Sequence, residues 1–367
     1  MGMTLSANAR NFSGGPGALP ETVLVQLREA MIAVPEVGLS VLGISHRSDW
    51  FAAVVAEVEV RLKALLALPP DFHVLLLQGG GTLQFAMVPL ALARGADVPA
   101  EYLHTGYWSG KAIAEARKLA PVRVVWSGED EGFSRLPDDE ELVFDARAPY
   151  LHVVTNETVE GLQFHRTVGL EEVPRVADMS SDFLSRPFDA GRYALIYAHA
   201  QKNLGPAGVT VVLVREAVLE RAPEGLPAML DYRAQAQAHS ILNTPPVFAI
   251  YAVLLVLRWL MDEIGGLEAM AAINRAKAER LYGVLDASEG FYRPRARRAD
   301  RSLMNVVFDL PSEALRAAFL AEANRAGFAG LAGHRALGGI RVSIYNAVTL
   351  EAVEALADFM ETFRRRH

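Results

Sequence analysis

The chain has 367 residues, a formal net charge of −7 at pH 7 and no cysteine, a length that allows two domains and a large buried core. The mild acidity disfavours a protein that binds nucleic acid over a broad surface, so any anionic ligand must meet a local basic cluster. The lack of cysteine excludes disulfides, thiolate metal sites and cysteine nucleophiles, and we expect no metal site.

The first ten residues lack a basic start followed by an apolar stretch, so they do not resemble a secretory signal. The most apolar run, at 247–257, is stopped by Arg258 and is shorter than the ~20 residues that cross a bilayer. It predicts a buried helix. We therefore expect a cytoplasmic protein that binds neither membrane nor nucleic acid.

Strand and helix patterns alternate over the first two thirds of the chain. Helical spacing of apolar residues occurs at 49–68, 83–93 and 108–119. Short apolar runs typical of fully buried strands occur at 74–77, 122–126, 151–155, 195–198 and 209–214. The alternation predicts an α/β fold in which a mostly parallel sheet lies between helices.

The pattern changes after the Gly265-Gly266 pair. Longer helices are predicted at 267–288, at 312–326 and from residue 350 onward, with strands at 303–310 and 340–344. This arrangement predicts a separate α+β domain. We expect a large domain at 16–265 and a smaller domain that consists of 266–367 together with residues 1–15.

One lysine stands in the tight link between two predicted strands. The apolar run from Tyr193 leads into a glycine-bounded turn that carries Lys202, and the next strand begins at Val209. Partial desolvation there would disfavour the ammonium and make the amine a usable nucleophile. A solvated turn lysine is the alternative, because burial alone does not make a catalyst.

The segment 78–82, Gln-Gly-Gly-Gly-Thr, follows a strand and opens a helix. This geometry points free backbone N–H groups and the positive helix end at an anion such as phosphate. The three glycines can equally form a flexible turn. The segment has neither the Gly-Lys-Ser/Thr of a Walker loop nor the Gly-x-Gly-x-x-Gly dinucleotide fingerprint, which argues against both of those functions.

Three more side chains belong to segments expected near the carboxyl ends of the strands, where ligands of α/β sheets gather. Asp178 ends a short strand and can otherwise cap a helix; Trp108 can stack on a flat ligand or fill the core; Thr158 can donate a hydrogen bond or stabilise a turn. A phosphate site, a stacking ring, a buried carboxylate and a lysine are together the parts that pyridoxal 5′-phosphate requires, because its ring nitrogen must stay protonated to act as an electron sink.

With these residues the chain resembles the phosphoserine aminotransferases, pyridoxal-phosphate enzymes of the class-V aminotransferase family with the aspartate-aminotransferase fold. The similarity extends from Asn11 to the C terminus. Its most specific stretches are 45–47 (Ser-His-Arg), 106–108 (Gly-Tyr-Trp), 200–208, 243–246 (Asn-Thr-Pro-Pro), 333–335 (Gly-His-Arg) and 341–347. The resemblance implies a transferase of fold type I, with a mostly parallel seven-stranded sheet in the large domain and a smaller α+β C-terminal domain.

The resemblance also implies roles in holding the cofactor. Lys202 would bond to it and then act as the base that moves the Cα proton, Asp178 would pair with the pyridine nitrogen, Trp108 would stack on the ring and Thr158 would bond the phenolic oxygen. The phosphate would be held by Gly81, Thr82 and Gln201, and by Asn243 and Thr244 from the other subunit of a homodimer. Thr82-Leu83 departs from the Arg-Gly of some members, so backbone donors are the expected phosphate contacts.

The charges of the expected substrates indicate which residues would bind them. Glutamate and 3-phosphohydroxypyruvate each carry an α-carboxylate and a distal anion, so a site for both needs a planar fork and a basic cluster. By resemblance, Arg341 takes the α-carboxylate, and the distal anion meets His46, Arg47, His334 and Arg335. Each of these four can singly be an ordinary surface base, but two His-Arg pairs in one acidic protein favour an anion pocket.

The expected reaction is the transfer of the amino group of L-glutamate to 3-phosphohydroxypyruvate, which gives O-phospho-L-serine and 2-oxoglutarate in serine biosynthesis. Use of 4-phosphohydroxythreonine in vitamin B6 synthesis stays open. An alanine–glyoxylate type of aminotransferase would keep Lys202 and Asp178 but has no use for so basic a distal pocket. A non-catalytic protein that binds a phosphorylated metabolite would not need both of those residues.

Overall fold

The computed structural model describes residues 8–367; residues 1–7, assigned above to the small domain, lie outside the described residues. The strands are β1 (Phe72–Leu77), β2 (Ala100–His104), β3 (Val122–Ser127), β4 (Leu151–Val154), β5 (Asn156–Glu157), β6 (Leu162–Gln163), β7 (Arg175–Asp178), β8 (Leu195–His199), β9 (Thr210–Arg215), β10 (Arg293–Pro294), β11 (Asn305–Asp309) and β12 (Ile340–Ser343). The α-helices are α1 (Glu21–Ile32), α2 (Asp49–Leu65), α3 (Gly80–Leu92), α4 (Tyr107–Ala116), α5 (Glu216–Arg221), α6 (Tyr232–Gln237), α7 (Val247–Arg258), α8 (Leu267–Asp286), α9 (Glu313–Arg325) and α10 (Leu350–Arg366).

The central sheet has seven strands in the order β1-β9-β8-β7-β4-β2-β3. Strands β8, β7, β4, β2 and β3 run parallel to one another, whereas β9 is antiparallel to both β1 and β8. The predicted mostly parallel sheet is therefore confirmed. All five apolar runs that were predicted to be strands lie in this sheet, and the 247–257 run is the buried helix α7.

Side chains that alternate along the strands divide the apolar core of the large domain between the two faces of the sheet. On β1 and β9, side chains at alternate positions point to opposite faces. Val74, Leu76, Val211 and Leu213 belong to the cluster that packs with α1, α2 and α7. Leu75, Leu77, Val212 and Val214 belong to the cluster that packs with α3, α4 and α5. Burial on both faces explains why these strands are continuous apolar runs.

The helix predicted at 49–68 begins as expected and ends earlier. Ser48 caps it, because its Oγ accepts a hydrogen bond from the N–H of Phe51 at 3.3 Å. The helix ends at Leu65, and Ala67 has a φ of 45°, a left-handed conformation that cannot continue a right-handed helix. Within residues 8–367, no helix combines the length and the apolar character that crossing a membrane requires.

The C-terminal third forms a second core. The sheet β10-β11-β12 is antiparallel and packs with α8, α9 and α10. Phe12 and Ala18 are buried in the same core, and Asn11 forms a β-bridge with Ala329. We propose on these contacts that the described N-terminal segment belongs with the small domain, which begins near Gly266.

Candidate active site

The carboxyl ends of β1, β2, β4, β7 and β8 meet at one edge of the sheet, and the segments that follow them surround a cavity of about 100 Å³. Topology therefore gathers residues that are far apart in the chain. Seven of the predicted site residues line the cavity: Gly81, Thr82, Trp108, Thr158, Asp178, Gln201 and Lys202.

Lys202 is buried rather than solvated, with 6% of its surface exposed. It lies in the turn between β8 and β9, and its Nζ donates a hydrogen bond to Oγ1 of Thr158 at 2.7 Å. The same Nζ is 6.0 Å from the centre of the Trp108 ring. Burial lowers the pKa of Lys202 to about 8, although the charge of Asp178 acts in the opposite direction. The neutral amine is therefore far more populated near pH 7 than in a solvent-exposed lysine, although the ammonium still predominates.

Asp178 ends β7 and is fully within the protein. Its Oδ1 accepts a hydrogen bond from the backbone N–H of Ser180 at 2.9 Å. Burial raises the pKa of Asp178, while the contacts with Ser180 and the charge of Lys202 lower it. A carboxylate held in this way can stabilise a positive charge on a ligand in the cavity.

The glycine segment forms a cradle at the start of α3. Gly79 and Gly80 have φ of 91° and 67°, and the space where a Cβ of Gly80 would lie is open. A Cβ at Gly81 would come within 3.3 Å of the His199 ring and 3.5 Å of Ser180 Oγ. Because the first N–H groups of a helix have no partner within it, the cradle fits a phosphate group.

Seven lining residues were not among the predicted site residues: the apolar Phe85 and Val154, and Gly80, Asn156, Ser180, Ser181 and His199. Most of them lie at a strand end or within a few residues of a predicted site residue, which is the signal that could have identified them. Burial and the nearby Lys202 lower the pKa of His199 to about 3, so this ring is neutral at pH 7. The cavity wall thus adds polar groups without adding charge.

Three basic side chains lie beside this cavity. Arg341 extends from β12 against Gly14, where there is no room for a Cβ, and its Nε is buried without a hydrogen-bond partner. The ring of His334 lies 4.7 Å from that of Tyr107, which is 5.1 Å from that of Trp108. Burial lowers the pKa of His334, and the charges of Arg341 and Arg335 lower it further. Arg341 and Arg335 therefore act electrostatically on His334, and His334 is linked to Trp108 through the ring of Tyr107.

The remaining predicted residues do not line the cavity of this chain. His46 and Arg47 lie in the turn before α2, where Arg47 is exposed. Asn243 and Thr244 are also exposed. The side chains of Asn243 and Gln78 exchange two hydrogen bonds, of 3.1 and 3.2 Å, beside the glycine cradle. Any contact of these four residues with a second subunit stays a proposal.

Comparisons with known proteins agree with this geometry. The family described as aminotransferase class-V matches residues 10–356. A curated relative from Geobacillus kaustophilus, named phosphoserine aminotransferase, is 49% identical, and the match covers 98% of this chain and 99% of the relative.

Two solved structures extend the comparison to the fold. The phosphoserine aminotransferase from Bacillus circulans subsp. alkalophilus has a TM-score of 0.94 at 44% identity, over 98% of this chain and 99% of that one. The PLP-bound phosphoserine aminotransferase from Trichomonas vaginalis has a TM-score of 0.89 at 34% identity, over 96% and 99% of the two chains. The predicted family and the fold type I architecture are confirmed.

Proposed function

The chain belongs to the class-V aminotransferase family and is an aminotransferase, and we propose that it transfers the amino group of L-glutamate to 3-phosphohydroxypyruvate. The products are O-phospho-L-serine and 2-oxoglutarate, in serine biosynthesis. The observation that carries this proposal is the buried Lys202, which lies in one cavity with Asp178 and Trp108 next to a group of three bases. The relatives from Geobacillus kaustophilus and Bacillus circulans subsp. alkalophilus are named phosphoserine aminotransferase, which supports this proposal.

We propose pyridoxal 5′-phosphate as the cofactor. The glycine cradle suits its phosphate, Trp108 presents a ring for stacking, and Asp178 is a buried carboxylate that suits a protonated pyridine nitrogen. When bound, the cofactor supplies an electron sink for the charge that is left when Cα loses its proton.

The residues of this chain then have distinct tasks. Lys202, buried and partly neutral, holds the cofactor and moves the Cα proton as a general base. Asp178 keeps the ring nitrogen protonated. The Thr158 hydroxyl, which accepts from the Lys202 amine in this structure, would bond the phenolic oxygen of the cofactor. Trp108, which lines the cavity, would stack on the cofactor and limit the access of water.

Substrate selection follows from the basic group. The guanidinium of Arg341 has a free buried N–H and a fork suited to the α-carboxylate that every amino-acid substrate carries. His334 and Arg335, on the loop before β12, would bind the distal carboxylate or phosphate; the nearby charges of Arg341 and Arg335 on His334 support a basic pocket there. We propose that His46 and Arg47 join them from a second subunit.

We propose a homodimer with composite sites. Among the described residues, five of the ten large apolar side chains that are exposed fall between positions 25 and 42, just before His46 and Arg47. We propose that these side chains form part of a contiguous apolar surface that a second subunit covers; a two-fold dimer is the commonest closed assembly. Asn243 and Thr244 would reach the partner's cofactor phosphate. We place the enzyme in the cytoplasm.

A coupled assay tests the reaction. The purified chain with pyridoxal 5′-phosphate should be yellow and should convert glutamate and 3-phosphohydroxypyruvate to 2-oxoglutarate. Faster turnover of alanine with glyoxylate would support the alanine–glyoxylate alternative. Binding of the phosphorylated substrate without turnover or a visible absorbance band would support the non-catalytic alternative.

A further inference from the structure

Glu157 and Glu160 are buried carboxyl groups that the proposed mechanism does not use, with 1% and 4% of their surfaces exposed. Glu157 lies in β5, and Glu160 lies in the turn between β5 and β6. Both pack against Gly106, just before α4. A Cβ at Gly106 would lie 2.5 Å from Oε2 of Glu160 and 2.7 Å from Cδ of Glu157. The absence of a side chain at Gly106 therefore lets both carboxyl groups approach the helix.

Glu157 binds the first turn of α4 through both carboxylate oxygens. Its Oε1 accepts from the backbone N–H of Ser109 at 3.0 Å and from Oγ1 of Thr105 at 3.2 Å. Its Oε2 accepts from the backbone N–H of Trp108 at 3.1 Å. These N–H groups have no partner within the helix, and the N-terminal end of a helix favours negative charge. The contacts therefore favour an ionised Glu157.

Glu160 has a different environment. Its Oε1 accepts one hydrogen bond, from the backbone N–H of Tyr107 at 2.9 Å, and its Oε2 is buried without a partner. Burial, and then the charge of Glu157, raise the pKa of Glu160 well above its usual value. Burial also raises the pKa of Glu157, but its hydrogen bonds from Ser109 and Trp108 oppose that rise. Glu157 therefore carries the charge of the pair, and Glu160 carries the proton.

The first turn of α4 connects Glu157 to the reaction cavity. Trp108, held through its backbone, has its ring centre 6.0 Å from Lys202 Nζ. Thr158, next to Glu157 in the chain, accepts the hydrogen bond of that same amine. We propose that Glu157 is a positioning residue for transamination, which holds the indole of Trp108 in place and supplies a fixed negative charge near Lys202. The kinetic part of this inference rests on the proposed function.

The chain offers a matched pair of variants. Glu157→Gln removes the charge and keeps the size, whereas Glu160→Gln replaces a carboxyl group that is already neutral at the same helix end. Glu157→Asp keeps the charge but withdraws the carboxylate by one methylene. These three variants of the full-length chain separate charge from position.

The effect of the Glu157 charge is measured on the amine of Lys202, after removal of the cofactor. Trace acetylation at a series of pH values, quantified by mass spectrometry of the Lys202 peptide, gives the midpoint of its titration. The charges that act on this amine are Asp178, Glu157 and Asp182, which raise its pKa, and Arg341, which lowers it. Glu157→Gln should therefore shift the midpoint to lower pH, while Glu160→Gln and Glu157→Asp leave it in place. An unshifted midpoint in folded Glu157→Gln would overturn the proposed charge effect.

The effect of Glu157 on the position of Trp108 is measured by the near-UV circular dichroism of tryptophan and by steady-state kinetics with cofactor. Both Glu157 variants should weaken the Trp108 signal and lower kcat/KM about tenfold or more, while Glu160→Gln stays within about twofold of wild type. Equal losses in Glu157→Gln and Glu160→Gln would overturn the inference. If Glu157→Gln does not fold, Glu157→Asp decides: an unchanged tryptophan signal and rate would overturn it. Failure of the proposed function would give a different result from failure of this inference. Wild type itself would then lack turnover, while Glu157→Gln would still shift the midpoint of Lys202 acetylation.

Discussion

The amine of Lys202 donates a 2.7 Å hydrogen bond to the hydroxyl of Thr158 across the cavity. The two residues are 44 positions apart and follow different strands of the chain, so only the assembled fold brings them together. The acceptor is a neutral hydroxyl and not a carboxylate. Burial therefore remains the largest influence on the amine and lowers its pKa to about 8.

Lys202→Ala should abolish nearly all transamination and remove the visible absorbance that depends on the bond between this amine and the cofactor. The reason is that Lys202 is the amine placed in the cavity to bond the cofactor and to move the Cα proton. Absorbance spectra and the coupled assay measure both effects. Lys118→Ala is the control, because that lysine is exposed and pairs only with Glu115 on the surface. Near-normal turnover by Lys202→Ala would refute the central assignment.

Asp178→Asn should still bind the cofactor but turn over far more slowly. The amide keeps the size of the carboxylate but cannot stabilise a protonated ring nitrogen, so the cofactor becomes a poor electron sink. Cofactor binding is measured by titration and turnover by the coupled assay. Turnover equal to that of wild type would remove Asp178 from its proposed role.

Most of the cavity could be predicted because its residues follow apolar strand patterns. Asp178 is the last residue of its strand, Lys202 and Gly81 lie within four residues after theirs, and the carboxyl ends of parallel strands share one edge. Glu157 could not be assigned a role in this way. Its contacts with Ser109 and Trp108 span 48 and 49 residues and depend on how the β5–β6 hairpin packs on α4.

Strand β2 shows the limit of pattern reasoning within the sheet. Its sequence, Ala-Glu-Tyr-Leu-His, carries a charged residue in its second position, so it does not read as a buried apolar run. Glu101 is nevertheless buried, because Arg123 pairs with it at 2.9 Å and the N–H of Asp145 donates to it at 2.9 Å. Both partners come from elsewhere in the chain, and local periodicity cannot reveal them.

Lys277→Met should lower the free energy of unfolding by about 2–4 kcal/mol, because buried carbonyls would lose their donor. The Lys277 amine is buried and donates to the carbonyls of Ile344, Tyr345 and Val348 at 2.9–3.0 Å, which ties α8 to the segment after β12. Urea unfolding measures the change. Lys118→Met, at an exposed position, should stay within about 0.5 kcal/mol of wild type. A similar small change in Lys277→Met would show that the three carbonyls find other partners.

Mixed dimers should reveal whether Asn243 acts across the subunit interface. A heterodimer of Lys202→Ala and Asn243→Ala chains has one site with both defects and one with neither if the sites are composite, so activity should partly return. In this structure Asn243 bonds to Gln78 of its own chain. The measurement is activity after confirmed subunit exchange. Absence of recovery would show that each Asn243 serves the site of its own chain.

The last prediction concerns the anions that Arg335 and Arg341 bind. Arg335 lies on the loop before β12, whereas Arg341 lies on the strand, partly buried and next to Gly14. If Arg335 faces the distal anion, Arg335→Ala should weaken the use of glutamate and 3-phosphohydroxypyruvate much more than that of alanine, which has no distal charge. Loss of one charge-assisted contact costs about 1.5–3 kcal/mol, or about ten- to a hundredfold in kcat/KM.

Arg341→Ala provides the matched comparison, because every amino-acid substrate carries an α-carboxylate. This variant should therefore lower kcat/KM for alanine and glutamate by similar factors. The ratio of the two substrates is the quantity to measure, since a general loss of folded protein lowers both values equally and cancels. If Arg335→Ala reduces alanine and glutamate by the same factor, Arg335 does not bind the distal anion. The preference for a phosphorylated substrate would then have to come from His334 or from residues of a second subunit.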